Sequence, residues 1–196
     1  MSVQLDTQAP RHFERSQLAL RVVVGIVFGW FGITLGGVTC LLYVLLPVVV
    51  AGAITTGGVK YARDVAPQLW SVIAWIVRCE AYMMLLVDRL PMADEPGVQL
   101  AIRFTGTPTV ASALVRLVTS LPSTCVLAVL FMFSVPMWVI AAVLVLVGGQ
   151  VPAPILAYQR GVLRWQLRLL AYHASLVVEY PLWTMHEPAL REVIAR

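Results

Sequence analysis

Apolar and polar residues are segregated along this chain in long blocks. No Asp, Glu, Lys or Arg occurs between Arg21 and Lys60, or between Arg116 and Arg160, which leaves uncharged runs of 38 and 43 residues. A spanning helix needs about 20 apolar residues at a rise of about 1.5 Å each, so either run as one helix would measure roughly 57–65 Å, about twice the hydrocarbon thickness of a bilayer. Two short helices joined by a tight turn fit each window better. Gly36-Gly37 offers the turn in the first window, and the stretch Ser134, Val135 and Pro136 offers it in the second. One long, tilted or kinked helix per window is the alternative. A turn within either window has to lie at the far interface, because lipid does not tolerate exposed backbone polar groups.

The pattern changes after each window. From about Pro154 to Glu179 the residues Arg160, Arg164, Arg168, Ala171, Ser175 and Glu179 fall in one helical arc of about 100°. Leu163, Leu167, Leu170, Ala174 and Val177 lie opposite, and Trp165 and Tyr172 sit near the boundary of the stripe. A basic stripe, an apolar face and boundary aromatics predict an amphipathic helix in the headgroup region. The corresponding helix after the first window, about Ala66 to Arg89, is more apolar and carries Arg78, Glu80 and Arg89. Strand period shows at Val98–Phe104, where Val98, Leu100, Ile102 and Phe104 alternate with Gln99, Ala101 and Arg103. Val3-Gln4-Leu5 is a weaker counterpart, and pairing of the two segments is expected.

These similarities form a repeat. Trp75, Arg78, Ala81, Tyr82, Leu86, Val87 and Pro91 recur 90 positions later as Trp165, Arg168, Ala171, Tyr172, Leu176, Val177 and Pro181. Gly57-Gly58 recurs as Gly148-Gly149 at a shift of 91, and Val3-Gln4-Leu5 and Arg21 recur as Val98-Gln99-Leu100 and Arg116 at a shift of 95. Residues 1–96 and 97–196 therefore read as two tandem units. Each holds a short extended segment, a transmembrane hairpin (about 22–59 and 117–152) and an interfacial helix (about 66–89 and 154–179). The expected fold class is an all-α membrane protein. Because each hairpin returns to its starting side, the units share an orientation about a pseudo-twofold axis along the membrane normal, unlike inverted repeats.

Composition agrees with this reading. Hydrophobic residues make up 60% of the chain and charged residues 12%, with mean hydropathy +0.85; soluble domains carry about 25% charged residues. All Lys and Arg lie outside the two windows, so the positive-inside bias puts both termini and the middle segment in the cytoplasm of a multi-pass inner-membrane protein. Charged residues precede the first apolar run, so its first helix reads as an uncleaved signal. The net charge of +4 suits an anionic leaflet better than nucleic acid.

Chemistry is sparse. His12, His173 and His186 lack metal-ligand spacing, Cys40, Cys79 and Cys125 read as small apolar residues, and no hydrolase, metalloprotease or phosphate-loop motif occurs. The expectation is no catalytic residue, no metal and no cofactor. Glycines at 25, 29, 32, 36 and 37 favour close helix packing. Candidate contacts for lipid headgroups or other anions are Arg160, Arg164, Arg168, Trp165 and Tyr172, with Arg78, Trp75 and Tyr82 from the first unit. The alternatives for these arginines are simple anchoring of the fold, or burial of Arg168 and Arg78 between the units.

The run Arg116…Leu121-Pro122, Gly149…Pro152, Gly161-Val162-Leu163-Arg164-Trp165…Arg168…Ala171-Tyr172 and Glu179-Tyr180-Pro181 resembles a bacterial membrane family catalogued as domain of unknown function 4389. Leu182 and Trp183 depart from its terminal Tyr-Pro-Pro-Phe motif. In the first unit Leu90 stands where Tyr is expected, and no Leu-Pro follows Arg21. The resemblance implies tandem copies, the first degenerate, and no activity. The expected function is a non-enzymatic scaffold, accessory subunit or lipid-interacting module, with membrane lipids and a homo-oligomer or membrane protein as partners. A component of an oligomeric transporter or channel is the alternative, although uncharged windows disfavour an ion path. A lipid-acting membrane enzyme ranks third.

Overall fold

A computed structural model describes residues 3–30, 35–55, 57–90, 97–105 and 108–181. The chain is mostly helical. In order it forms β1 (Val3–Thr7), α1 (Arg15–Trp30), α2 (Leu35–Ile54), α3 (Gly58–Lys60), a π-helical turn (Tyr61–Val65), α4 (Ala66–Met83), β2 (Val98–Ile102), α5 (Val110–Thr119), α6 (Leu121–Gly148) and α7 (Ala153–His173).

The two extended segments pair as expected. β1 and β2 form an antiparallel ribbon with Leu5 opposite Leu100, Val3 opposite Ile102 and Thr7 opposite Val98, and the Gln8 N–H extends it to the Gly97 carbonyl at 3.0 Å. The register is symmetric about Leu5 and Leu100, which occupy the same place in the repeated Val-Gln-Leu.

The turn expected in the second window falls elsewhere. In the first window, Gly36 and Gly37 lie inside α2, and residues 31–34, between α1 and α2, are outside the described residues. A glycine weakens a helix by about 1 kcal/mol relative to alanine, which does not stop it where unpaired backbone groups would face an apolar surrounding. In the second window the expected turn at Ser134, Val135 and Pro136 is corrected: α6 runs through all three without interruption for 28 residues, about 42 Å. Proline removes one helical hydrogen bond. Side chains of α7 bond to carbonyls near this point, Tyr158 Oη donating to Leu130 O at 2.8 Å and Gln159 Nε2 to Ser134 O at 3.0 Å. The chain turns instead after Gly149, whose φ of 69° is left-handed, with Pro152 preceding α7. Helix α7 then runs back, bringing His173 Nε2 within 2.5 Å of Ser120 Oγ. The two ends of α6 hold different parts of the chain. Gly149 O accepts from Phe13 N at 2.8 Å, and near the other end Ser123 Oγ lies 2.5 Å from Tyr180 Oη.

The packing crosses between the halves of the chain. α1 lies against α6 and α2 against α5, while α4 packs on α7. Helix α7 is the centre of the core, touched by α2, α4, α5, α6 and β1. Val162, Leu163, Leu167, Leu169, Leu170 and Ala171 are fully buried. The polar stripe expected on this helix is covered in part, because β1 packs on α7 and takes hydrogen bonds from Arg160 and Arg164. Helical periodicity marks a polar face without saying what covers it. The outer surface is apolar instead, with Val23 and Ile26 on α1, Leu41 and Val44 on α2, and Met132, Val135 and Val147 on α6 exposed. Among the described residues, α6 is the helix long and apolar enough to cross a membrane.

Candidate functional site

Helices α4 and α7 end before their proline stops, in the same way. In α4, Met84 N bonds to Glu80 O and Leu86 N to Ala81 O, and in α7, Ala174 N bonds to Leu170 O and Leu176 N to Ala171 O. Leu85 and Ser175 take the left-handed conformation at φ 60° and 53°. This is a Schellman-type ending, usually made with glycine. It turns the chain back so that the carbonyls of residues 82 and 87, and of 172 and 177, point at one place.

A buried arginine fills each place. Arg21, fully buried, donates from Nε to Tyr82 O at 2.8 Å and from Nη2 to Val87 O at 2.6 Å and Asp88 O at 3.0 Å. Its guanidinium carbon sits 4.2 Å from the centroid of the Tyr82 ring, and Asp88 Oδ1 lies 3.7 Å from Nη2. Arg116, 5% exposed, donates from Nη1 to Tyr172 O at 2.6 Å and Val177 O at 2.8 Å, with its guanidinium 4.6 Å from the Tyr172 ring. A cation against the last carbonyls of a helix is favoured by the helix dipole, and the tyrosine face adds a cation–π attraction. These two arginines were not among the sequence candidates. The matched Arg before each apolar window was the signal, but which carbonyls it would meet depends on the helix ends.

Among the sequence candidates, the second-unit stripe gathers on β1. Arg160 Nε donates to Thr7 Oγ1 at 2.7 Å and Arg164 Nε to Leu5 O at 3.0 Å, while Arg168 is buried. Burial, then the neighbouring Arg164, holds Arg160 and Arg168 below the ordinary arginine pKa, and Asp6 opposes this at Arg160 and Arg164. Trp165 is buried with Nε1 donating to Pro181 O at 3.3 Å. Tyr82 and Tyr172 belong to the two arginine clamps. Trp75 is exposed and Arg78 partly so, both on α4 and apart from the stripe.

A second buried polar set joins the halves. Gln166 Nε2 donates to Glu80 Oε2 at 2.5 Å, and Tyr61 Oη donates to Ala174 O. His173 meets the Tyr43 ring edge-on at 4.9 Å, and burial, then Arg116, pushes its pKa down to about 4, so the ring is neutral at pH 7. These groups knit helices together at the ends of α4 and α7.

A family model described as Domain of unknown function (DUF4389) matches residues 111–184. That stretch takes in Arg116, all of α6 and α7, and Tyr172 and Tyr180. No curated protein and no solved structure matches the chain.

Proposed function

We propose that this chain is a multi-pass protein of a bacterial inner membrane, made of two tandem copies of one unit, that serves as a non-enzymatic scaffold or lipid-interacting module. The observation that carries the reading is α6, an uncharged helix of 28 residues whose large apolar side chains, Met132, Val135 and Val147 among them, face outward. A core helix of a soluble protein would turn such residues inward. Support for the tandem arrangement comes from the 90-residue repeat and from the two arginine clamps at equivalent positions. The stripe of α7 fits the scaffold role, since Arg160 and Arg164 tie the N-terminal strand to the second unit. Alkaline carbonate extraction of expressing cells tests the reading. The chain is expected to stay in the pellet and to need detergent, and release into the supernatant would reject it.

The charge distribution puts both termini in the cytoplasm. The ends of α6 favour a second topology. Phe13 is bonded at one end and Tyr180 near the other, so a crossing by α6 alone would put residues 13 and 180 on opposite faces. Reporter fusions at Gln8, Glu95 and Ala195 decide: three signals from one side fit the first topology, and opposite signals from Gln8 and Ala195 fit the second.

A further inference from the structure

The ribbon has two outer edges, and the rest of the chain treats them differently. Facing residues of an antiparallel pair alternate between hydrogen-bonded and non-hydrogen-bonded. The bond from Gln8 N to Gly97 O fixes the phase. Asp6 with Gln99 and Gln4 with Ala101 are then the bonded pairs. The N–H and C=O groups of Val3, Leu5 and Thr7 point away from β2, and those of Val98, Leu100 and Ile102 point away from β1.

The outer edge of β1 is covered by α7. Arg164 Nε donates to Leu5 O and Arg160 Nε to Thr7 Oγ1, and Val3, Leu5 and Thr7 are buried. The helix that the repeat sets beside β2 is α4, which touches it. There Trp70 and Ala74 stand in the places of Arg160 and Arg164, so this helix brings no guanidinium to Leu100 O. Among the described residues, the outward backbone groups of Val98, Leu100 and Ile102 take no hydrogen bond and meet no third strand. Gln99, Ala101 and Arg103 are exposed, and Leu100 and Ile102 are half-buried. Natural sheets blunt an open edge with a proline, an inward charge or a covering element. Val98–Ile102 has neither proline nor charge.

We infer that the outer edge of β2 is an interface where a second copy of this chain adds its own β2, antiparallel, to give a four-stranded sheet in the order β1-β2-β2-β1. The second copy is argued from self-complementarity. Val-Gln-Leu already pairs with its own repeat about a local twofold at Leu5 and Leu100. The same symmetry placed at Leu100 sets Leu100 opposite the partner's Leu100 and Val98 opposite the partner's Ile102. Gln99 then faces the partner's Ala101, and Arg103 faces the partner's Gly97. Apolar meets apolar, and no like charges are directly opposed. Each outward residue exchanges both of its backbone hydrogen bonds with its opposite number. Neither the open edge nor its symmetry depends on a membrane, so the pairing goes beyond the reading above and stands apart from it.

The test uses full-length protein in mild detergent, with Cys40, Cys79 and Cys125 changed to alanine for the cross-linking arm. Gln99 and Ala101 are exposed, and in the paired form they face each other as a non-hydrogen-bonded pair, about 4.5 Å apart at Cα and within disulfide reach. The double variant Gln99→Cys, Ala101→Cys is expected to oxidise to a covalent dimer at least about fivefold more than either single variant, whose like cysteines would lie diagonally across the interface at about 7–8 Å. The second arm is Gln99→Lys with Ala101→Lys. It opposes lysine to lysine twice across the interface, while position 99 still faces Asp6 of its own chain. Native mass spectrometry should find wild type dimeric and the lysine variant dissociating roughly tenfold more readily, with amide protection of β1 unchanged. A wild type that is monomeric throughout the micromolar range, or that pairs one-to-one with a different protein, overturns the inference. So does a dimer that tolerates the lysines, or one that cross-links no better in the double cysteine variant.

Discussion

Arg21 and Arg116 do the same mechanical task in different electrical surroundings. Each pins the segment that follows a left-handed helix ending, and each stacks on the tyrosine of that ending. The first clamp is closed by its own carboxylate, whereas the second has Val178 at the equivalent position. The neighbouring positions diverge in the same direction. Met83 stands where the second unit has His173, and Trp70 and Ala74 stand where it has Arg160 and Arg164. The two halves share this backbone hinge, and polar side chains are concentrated in one of them.

The sharpest way to break the comparison is to remove the sealed arginine. Arg21→Gln leaves three carbonyls and Asp88 without their cation in a buried place. A loss of about 3–5 kcal/mol is expected, as for breaking a buried ion pair. Arg116→Gln, which orphans two carbonyls and no carboxylate, should cost less. Melting of both variants in one detergent ranks them, and an equal loss would show that Asp88 adds nothing.

Acid should separate the halves next. His173 has a folded pKa of about 4 against 6.5 for the free side chain. The unfolded chain therefore takes up the proton first. Stability is full above about pH 6.5 and falls as the pH drops toward 4, by about 3 kcal/mol over that window. Replacing His173 with Met, the residue of the first unit, should flatten the slope of melting temperature against pH between 6.5 and 4. An unchanged slope would assign it to carboxylates instead.

Smaller effects are expected at the stripe and at the helix ends. Arg164→Gln removes a charged bond to Leu5 O and should cost about 1.5–2 kcal/mol, visible as faster amide exchange at β1 with little change in the α1–α6 contact. Ser175→Gly should stabilise by up to about 1 kcal/mol, since glycine adopts the left-handed conformation freely and the buried Ser175 Oγ has no hydrogen-bond partner. The matching Leu85→Gly should instead destabilise, because Leu85 is fully buried. Paired melting curves test both signs.

The legible parts of the molecule were those set by local pattern. Alternation at Val98–Phe104 and the repeated Val-Gln-Leu foretold the ribbon, and its observed register follows the repeat. The apolar windows foretold helices, and the start of α4 at Ala66 and of α7 at Ala153 lay within a residue of expectation. The turn in the second window was misjudged because a proline is a weak breaker inside a long helix that packs along a neighbour, as α6 does along α7. Burial was an alternative for Arg168, but the covering of Arg160 and Arg164 was not legible. It depends on β1, which is distant from α7 in sequence, lying across that face. The clamps were half legible: the repeated arginine was visible, but the carbonyls that receive it exist only after the left-handed turns at Leu85 and Ser175.

The symmetric ribbon sets a timetable for the newborn chain. Val98, the partner of Thr7, is 95 positions beyond Val3, and at about 5–20 residues per second a ribosome needs on the order of 5–20 s to make that stretch. Through that interval β1 has no strand to join, α1 and α2 await α6 and α5, and the arginines of α7 that will fasten β1 are further off still. The first half must therefore wait in an incomplete state until the second half arrives. A chain arrested between the units would present an unpaired strand and two unpartnered helices, the marks by which quality-control proteases recognise unfinished work.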